Sequence, residues 1–339
     1  MLSEQQLKTL IDTALEHAKG KTDGAEVHVF SSDYATSRFA NNSMTQNQAP
    51  LHTSVSVRVL IDGRQARLTT DKLDLDNIRN VVDKAIVVAN LLEKDPKLLP
   101  VLSPSGLSPI KTVNRYDEKT GKLSPEDRAK AITSIVNVGK PEHLQAAGTY
   151  SSGVHLQAMG NSSGLYRFHH ESEAGCSLTM CATDSTGWAK QEQPAAQSVH
   201  QITMAQSASA KAVQSAEPQE VDPGHYTVIL EPSAVLDMLG MLWQDFTGTS
   251  YTDKLSCFLD KLNTKVFGEN ITIHDDVYHP LQAGAPFDGE GMPRKKITLV
   301  EKGVVKNLVH GRRSAKEFGV EPTGHGLMEP TSQGEYPVN

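Results

Sequence analysis

Residues 271–304 read ITIHDDVYHPLQAGAPFDGEGMPRKKITLVEKGV, and this stretch decides how the second half of the chain folds. Ile271 and Ile273 alternate with polar residues, the pattern of a half-buried strand. Asp275 and Asp276 end that strand. Pro280, Gly284, Pro286, Gly289 and Gly291 then make a long irregular loop. Loops of this kind are often functional. The basic run Arg294-Lys295-Lys296 leads into a hairpin expected over 296–310, with Lys302-Gly303 as its turn.

The loop carries the carboxylates Asp275, Asp276, Asp288 and Glu290, with Arg294 close behind. A hard-cation site, acid/base chemistry and a set of structural turns all use such residues. The spacing is too wide for the regular oxygen cage of a calcium loop. The favoured reading is structural: Asp275 and Asp276 cap a strand end, while Asp288 and Glu290 pair with Arg294 or Lys295. Gly289 and Gly291 flank Glu290 and are expected to be needed for backbone reasons.

Upstream, Ser3 to Ala18 predicts a helix with a Ser3/Gln6 capping box. Ala25–Phe30 and Ala35–Ala40 predict two strands. Thr53–Ile61 and Arg64–Thr70 flank Asp62-Gly63, a strong hairpin signal. Arg58, Arg64 and Arg67 lie near it and are expected on the solvent face, where they could also meet an acidic peptide. Leu75–Leu92 predicts an amphipathic helix, residues 95–122 a surface connection, and Ser124-Pro125-Glu126-Asp127 a helix start. From Gln145 to Trp188, turn signals at Ser152-Gly153, 161–164, 173–175 and Thr186-Gly187 predict a β meander. Ala195–Ala216 predicts another helix. Tyr226–Leu230 then predicts a strand, and 232–246 a helix.

These elements predict an α+β protein of two domains. Residues 1–216 form a mixed sheet with helices and a meander, 217–224 a breaker-rich linker, and 225–339 a β-rich domain.

Composition excludes several classes. The net charge is −7 with no basic block, which argues against gripping nucleic acid by its phosphates. No apolar run approaches a membrane span, and the start Met-Leu-Ser-Glu lacks the basic and apolar parts of a signal peptide. Cys176, Cys181 and Cys257 are too sparse for a disulfide framework, and Cys176 and Cys181 lack zinc-knuckle spacing. A reducing cytoplasm is the simplest compartment. There is no Gly-x-Ser-x-Gly elbow, phosphate loop or dinucleotide fingerprint. His169-His170-Glu171 has no second histidine at zinc spacing, and strand alternation would point the adjacent rings to opposite faces. His274, His279, His310 and His325 read as scattered loop residues.

Asp275-Asp276, Phe287-Asp288-Gly289-Glu290-Gly291 and the Thr298–Val304 hairpin resemble the TldD/PmbA family. The likeness extends through Leu230-Glu231-Pro232, Ser256-Cys257-Phe258-Leu259, Gly311-Arg312-Arg313 and Pro322-Thr323-Gly324. That family was once described as modulators of DNA gyrase and is metallopeptidase-related. Its peptidase subunit carries His-Glu-x-x-x-His on the helix after the Leu-x-Pro strand. The corresponding helix here, Ser233 to Phe246, has no His and no Glu. The resemblance therefore implies the PmbA/TldE-like branch, with no catalytic residue and no cofactor in this chain. Zinc is expected only in a TldD-type partner. It also implies association with such a subunit or with itself, and a peptide substrate. Asp275, Asp276, Asp288, Glu290 and Arg294 become candidate peptide-cleft or loop residues. Alternatives are a self-sufficient peptidase with a cryptic metal site and a non-enzymatic binding module for a topoisomerase-related partner. Family members usually run on past the point matching Asn339, so the C-terminal domain is expected to be shorter than usual.

Overall fold

The computed structural model describes residues 2–332 and 334–337 of the 339-residue chain. α1 (Glu4–Ala18) opens on the expected capping box, with the Gln6 N–H donating to Ser3 Oγ at 3.3 Å and the Ser3 N–H to Gln6 Oε1 at 2.8 Å. β1 (Gly24–Ala40), β2 (Ser43–Gln48), β3 (Leu51–Ile61) and β4 (Arg64–Thr70) follow. The β3–β4 turn is the expected one, with Asp62 at φ 48° and Gly63 at φ 74°. Then come α2 (Leu75–Leu91), α3 (Glu118–Gly121) and α4 (Pro125–Gly139). β5 (Gln145–Asn161), β6 (Tyr166–Cys181), β7 (Thr186–Gln193) and α5 (Gln201–Gln214) complete this part.

The strands make one seven-stranded sheet in the order β4-β3-β1-β5-β6-β7, with β2 also paired to β1. The α+β class holds. The pairing, however, is antiparallel in every named pair of this sheet, where a mixed sheet was expected. β1 is a single 17-residue strand rather than two strands. The turns expected at Ser152-Gly153 and 173–175 lie in mid-strand instead. Gly153 is there because β1 crosses close by: a Cβ would stand 2.5 Å from the Asp33 carbonyl oxygen and 2.7 Å from Tyr34 Cα.

Helices cover one face of the sheet. α1 and α2 bury Leu7, Ile11 and Ile78 against Val27, Val57 and Ala158. α4 and α5 bury Ile135 and Ala208 against Tyr150, Leu178 and Met180. Tyr150 and Ala158 share a parity on β5, so both cores lie on one side. Cys176 joins the second core, and burial pushes its thiol up to about 12. The opposite face carries Met159, which packs on Phe287 from the C-terminal part, and the buried polar residues Glu26, His28 and Arg58.

The C-terminal part holds α6 (Pro232–Gly240), α7 (Gly248–Thr252), β8 (Ile273–Asp275), β9 (Ile297–Glu301), β10 (Val304–Val305) and α8 (Arg312–Phe318). A 3₁₀ turn, Trp243–Phe246, follows α6, so the helix expected to 246 is broken. β10-β9-β8 form a small antiparallel sheet whose hairpin turns at Lys302 (φ 46°) and Gly303 (φ 81°), as expected. Phe246, Phe258, Leu299, Val300 and Val309 fill the core beside it. Long loops connect these short elements. The strand expected at Tyr226–Leu230 does not form, and Ile229 is 98% exposed. β propensity needs a neighbouring ladder to act on, and no strand among the described residues pairs with this segment. Among the described residues, no helix is long and apolar enough to cross a membrane.

Candidate functional site

The pleat of β8 turns Asp275 inward beside Ile273 and leaves His274 exposed between them. Arg294 Nη2 donates to both Asp275 carboxylate oxygens, at 3.2 and 3.0 Å. Gln282 and His325 also reach the Asp275 carboxylate. Burial alone would raise the Asp275 pKa. The His325 hydrogen bond, the Arg294 and His325 charges and Gln282 together hold it below the ordinary carboxylate range. His325 is itself held below the usual imidazole value, first by burial. Asp276 faces outward: it accepts from the Tyr278 N–H at 3.1 Å and lies 3.3 Å from Lys296 Nζ. Capping at the end of β8 is thus as expected for Asp276, while Asp275 is a buried ion-pair centre.

Asp288 organises the glycine loop. Its carboxylate accepts from the N–H groups of Glu290 and Met292, each at 2.9 Å, and of Gly326 at 2.8 Å. Glu290 takes Arg312 Nη1 at 3.0 Å. The pairing of Asp288 and Glu290 with Arg294 or Lys295 is therefore corrected. Arg294 is spent on Asp275, and the Lys295 ammonium donates to the Pro322 carbonyl at 3.0 Å. Backbone donors within the loop lie nearer to Asp288 than any cation does. Burial, then the Glu290 charge, raises the Asp288 pKa, and burial raises that of Glu290. Gly291 has φ +83°, and a Cβ there would stand 2.5 Å from Leu165 Cδ2. Gly289 is needed for close approach instead, since its Cβ would stand 2.7 Å from backbone atoms of Leu327 and Met328.

Arginines from the sheet fasten these loops down. Arg58 and Arg67 are both 2% exposed at the side chain, contrary to the expected solvent face. Arg67 donates to Glu26 Oε1 at 2.5 Å and to the Glu329 carbonyl at 2.7 Å. Arg58 donates to Gln65 Oε1 at 2.8 Å and meets Glu329 Oε2 at 3.3 Å. Burial alone would raise the Glu26 pKa, but His28, whose Nε2 lies 3.3 Å from Glu26 Oε1, and the charges of Arg67 and Arg58 bring it to about 2. Arg115 lies within the supposed surface connection yet is buried. It donates to the carbonyls of Gly284 (2.8 Å), His279 (3.2 Å) and Val277. Sequence reasoning missed Glu26, Arg115, Arg312, His325 and Glu329. The one available signal was alternation: Arg58 sits opposite Val57 and Val59, on a face that sequence alone leaves uncovered.

The geometry makes a scaffold. Beside Glu290, Arg312, Glu329 and Glu335 lies a cavity of about 180 Å³. These glutamates are engaged, as with Glu335, whose carboxylate accepts from the Thr249 N–H at 2.7 Å and the Ser314 hydroxyl at 2.8 Å. α6 offers only Asp237 as an acid and has no imidazole, so it does not fit a zinc site of the His-Glu-x-x-x-His kind. His169 faces Glu171 at 3.4 Å, while His170 stacks on Tyr116 with centroids 4.6 Å apart. Among the described residues, no three of His, Cys, Asp and Glu group as a metal cage.

A family model described as the PmbA/TldA metallopeptidase C-terminal domain matches residues 223–337, and one for PmbA/TldA metallopeptidase domain 1 matches residues 25–89. The chain belongs to the TldD/PmbA family. Among TldD/PmbA relatives, metalloprotease PmbA of Escherichia coli O157:H7 is 20% identical, with 94% of this chain and 73% of that protein aligned. Metalloprotease MJ0996 of Methanocaldococcus jannaschii is 28% identical over 38% of this chain, and the match spans 29% of that protein's length. In fold, the chain is similar to TldE from Thermococcus kodakarensis, with a TM-score of 0.80 at 18% identity over 98% of this chain and 76% of that one. A Thermotoga maritima protein described as a candidate modulator of a DNA gyrase gives a TM-score of 0.84 at 21% identity, over 98% and 76%. The family is metallopeptidase-related.

Proposed function

We propose that this chain is a PmbA/TldE-like subunit of a cytoplasmic zinc metallopeptidase of the TldD/TldE type, which degrades or processes peptides. A TldD-type partner supplies the zinc and the hydrolytic chemistry. This chain supplies scaffold and the walls of the peptide cleft. One observation carries the reading: α6, on which the peptidase subunit would hold its metal, has neither His nor Glu here. The burial of Asp275, Asp288, Glu290 and Arg294 in internal bonds supports the same division of labour, since groups so engaged shape loops and do not attack substrate. A zinc ion held by the partner would supply the Lewis-acid chemistry of hydrolysis. The residues of this chain then act by holding the loops in register.

The experiment is reconstitution. The purified chain alone should cleave no peptide and carry no stoichiometric zinc. Mixed with a His-Glu-x-x-x-His subunit it should form a stable complex that cleaves peptides and stops on chelation. Chelator-sensitive cleavage by the chain alone would overturn the proposal in favour of a cryptic metal site. Salt-dependent DNA binding with no complex would favour a binding module instead.

A further inference from the structure

The C-terminal loops cover only part of the sheet's outer face. Phe287 packs on Met159, and the Gly284 N–H donates to Glu171 Oε2 at 3.1 Å. Beyond Gly284 the loop carries Leu281, 78% exposed, and on the sheet beside it Phe30 is exposed while Tyr34, His155 and Glu171 are half-buried. A cavity of about 120 Å³ lies between that loop and Glu171, Glu173 and Glu192 on β6 and β7. Next to it, the rings of Phe30, His155 and Tyr34 form a ladder, with centroids 6.1 and 5.5 Å apart. Glycine makes this surface possible. A Cβ on Gly153 would stand 2.7 Å from Tyr34 Cδ2, so the Tyr34 ring lies where a side chain would be. The Tyr34 hydroxyl is 2.7 Å from Ser151 Oγ and 3.3 Å from Glu173 Oε1. Burial, followed by the Glu173 and Glu192 charges, raises the Tyr34 pKa.

We propose that this face binds a basic side chain of an extended peptide, with the cation between Glu173 and Glu192 beside the Tyr34 ring and the alkyl stem along Pro280 and Leu281. This rests on the peptide-handling reading above and names one subsite for it. Charge complementarity carries the choice of occupant. The cavity is lined by Glu171, Glu173 and Glu192 against one cation, Arg115, whose guanidinium already serves the Val277, His279 and Gly284 carbonyls. Lys190 lies 2.9 Å from Glu192, but both are about half exposed, and such a pair exchanges readily for a better-held cation. His155 Nε2 lies 3.7 Å from Glu173 Oε2. An aromatic face attracts a cation, carboxylates bind guanidinium or ammonium through charge-assisted hydrogen bonds, and apolar loop residues suit an alkyl stem. A cavity of this size suits the end of one side chain and not a whole peptide.

The test is calorimetric titration of the full chain at low salt with blocked tripeptides, acetyl-Ala-X-Ala-amide, where X is Arg, Ala or Glu. The Arg peptide should bind about tenfold or more tighter than the Ala peptide, the worth of one charge-assisted hydrogen bond, and the Glu peptide weaker still. The double variant Glu173→Gln, Glu192→Gln should keep the wild-type circular dichroism and lose that preference. Equal binding of the Arg and Ala peptides, or a double variant that keeps the preference, would overturn the subsite. Free butylguanidinium binding as tightly as the Arg peptide would overturn the extended-peptide part. Arg preference without activity on mixing with a TldD-type subunit would sink the subunit reading and leave the subsite standing. Activity on mixing without Arg preference would do the reverse.

Discussion

Arg294 donates through one nitrogen to both oxygens of Asp275, at 3.2 and 3.0 Å, and both side chains are almost wholly out of water. Removing Asp275 leaves the Arg294 charge buried without its carboxylate, and removing Arg294 takes the guanidinium from a buried carboxylate that Gln282 and His325 still hold. Arg294→Leu should therefore destabilise the protein by about 3–5 kcal/mol, and Asp275→Leu by a similar amount. The double variant should cost less than the two together, because both changes break the same ion pair. Denaturant unfolding of the four proteins measures this. Strict additivity would show that the pair is not an energetic unit.

Gly291 and Gly289 should resist alanine for different reasons. At Gly291 the backbone has φ +83° and Leu165 stands in the way. At Gly289 the obstacle is the backbone of Leu327 and Met328, which cannot yield as a side chain can. Each Gly→Ala change should cost about 1–3 kcal/mol. Gly240 is the control: it is helical, with open space around it, and Gly240→Ala should be neutral or slightly stabilising. Thermal melts compare the three.

Glu26 links stability to acid. Its pKa falls from 4.5 unfolded to about 2 folded, so the ionised form is the one the fold binds. The stabilisation is present above pH 4.5 and is lost as pH falls through about 2, a contribution on the order of 3 kcal/mol. Glu26→Gln should lower stability at neutral pH and flatten the acid limb. A variant that kept the wild-type slope between pH 5 and 2 would assign that limb to other carboxylates.

Arg67 joins the sheet to the C-terminal segment, through Glu26 on one side and the Glu329 carbonyl on the other. Arg67→Met keeps much of the stem and removes these bonds, together with one to Ser56 Oγ. Amide exchange at residues 325–332 should then quicken by an order of magnitude or more, as expected from losing hydrogen bonds to a charged group, each worth about 1.5–3 kcal/mol. Exchange in β9, which pairs with β8 and β10, should stay as in the wild type. Mass-resolved hydrogen exchange separates the two regions.

Much of the local architecture was legible in the residues themselves. The Ser3/Gln6 capping box, the Asp62-Gly63 turn and the Lys302-Gly303 turn formed where expected. Each depends on bonds between groups a few residues apart, which neighbours in sequence decide. The missing imidazoles of α6 were equally plain, because a ligand type absent from a helix cannot be restored by folding. Tertiary structure decided the rest. Arg58 and Arg67 look like solvent residues until the C-terminal loops close over that face of the sheet. Gly153 reads as a turn until β1 is laid against β5 with Tyr34 over it. Tyr226–Leu230 has strand composition but no ladder among the described residues. Arg294 stands near four acids in sequence, and only the closing of β8 against β9 brings Asp275 to it. In each of these cases the outcome depended on which distant groups excluded water, and that is a property of the packed chain, not of any window of its sequence.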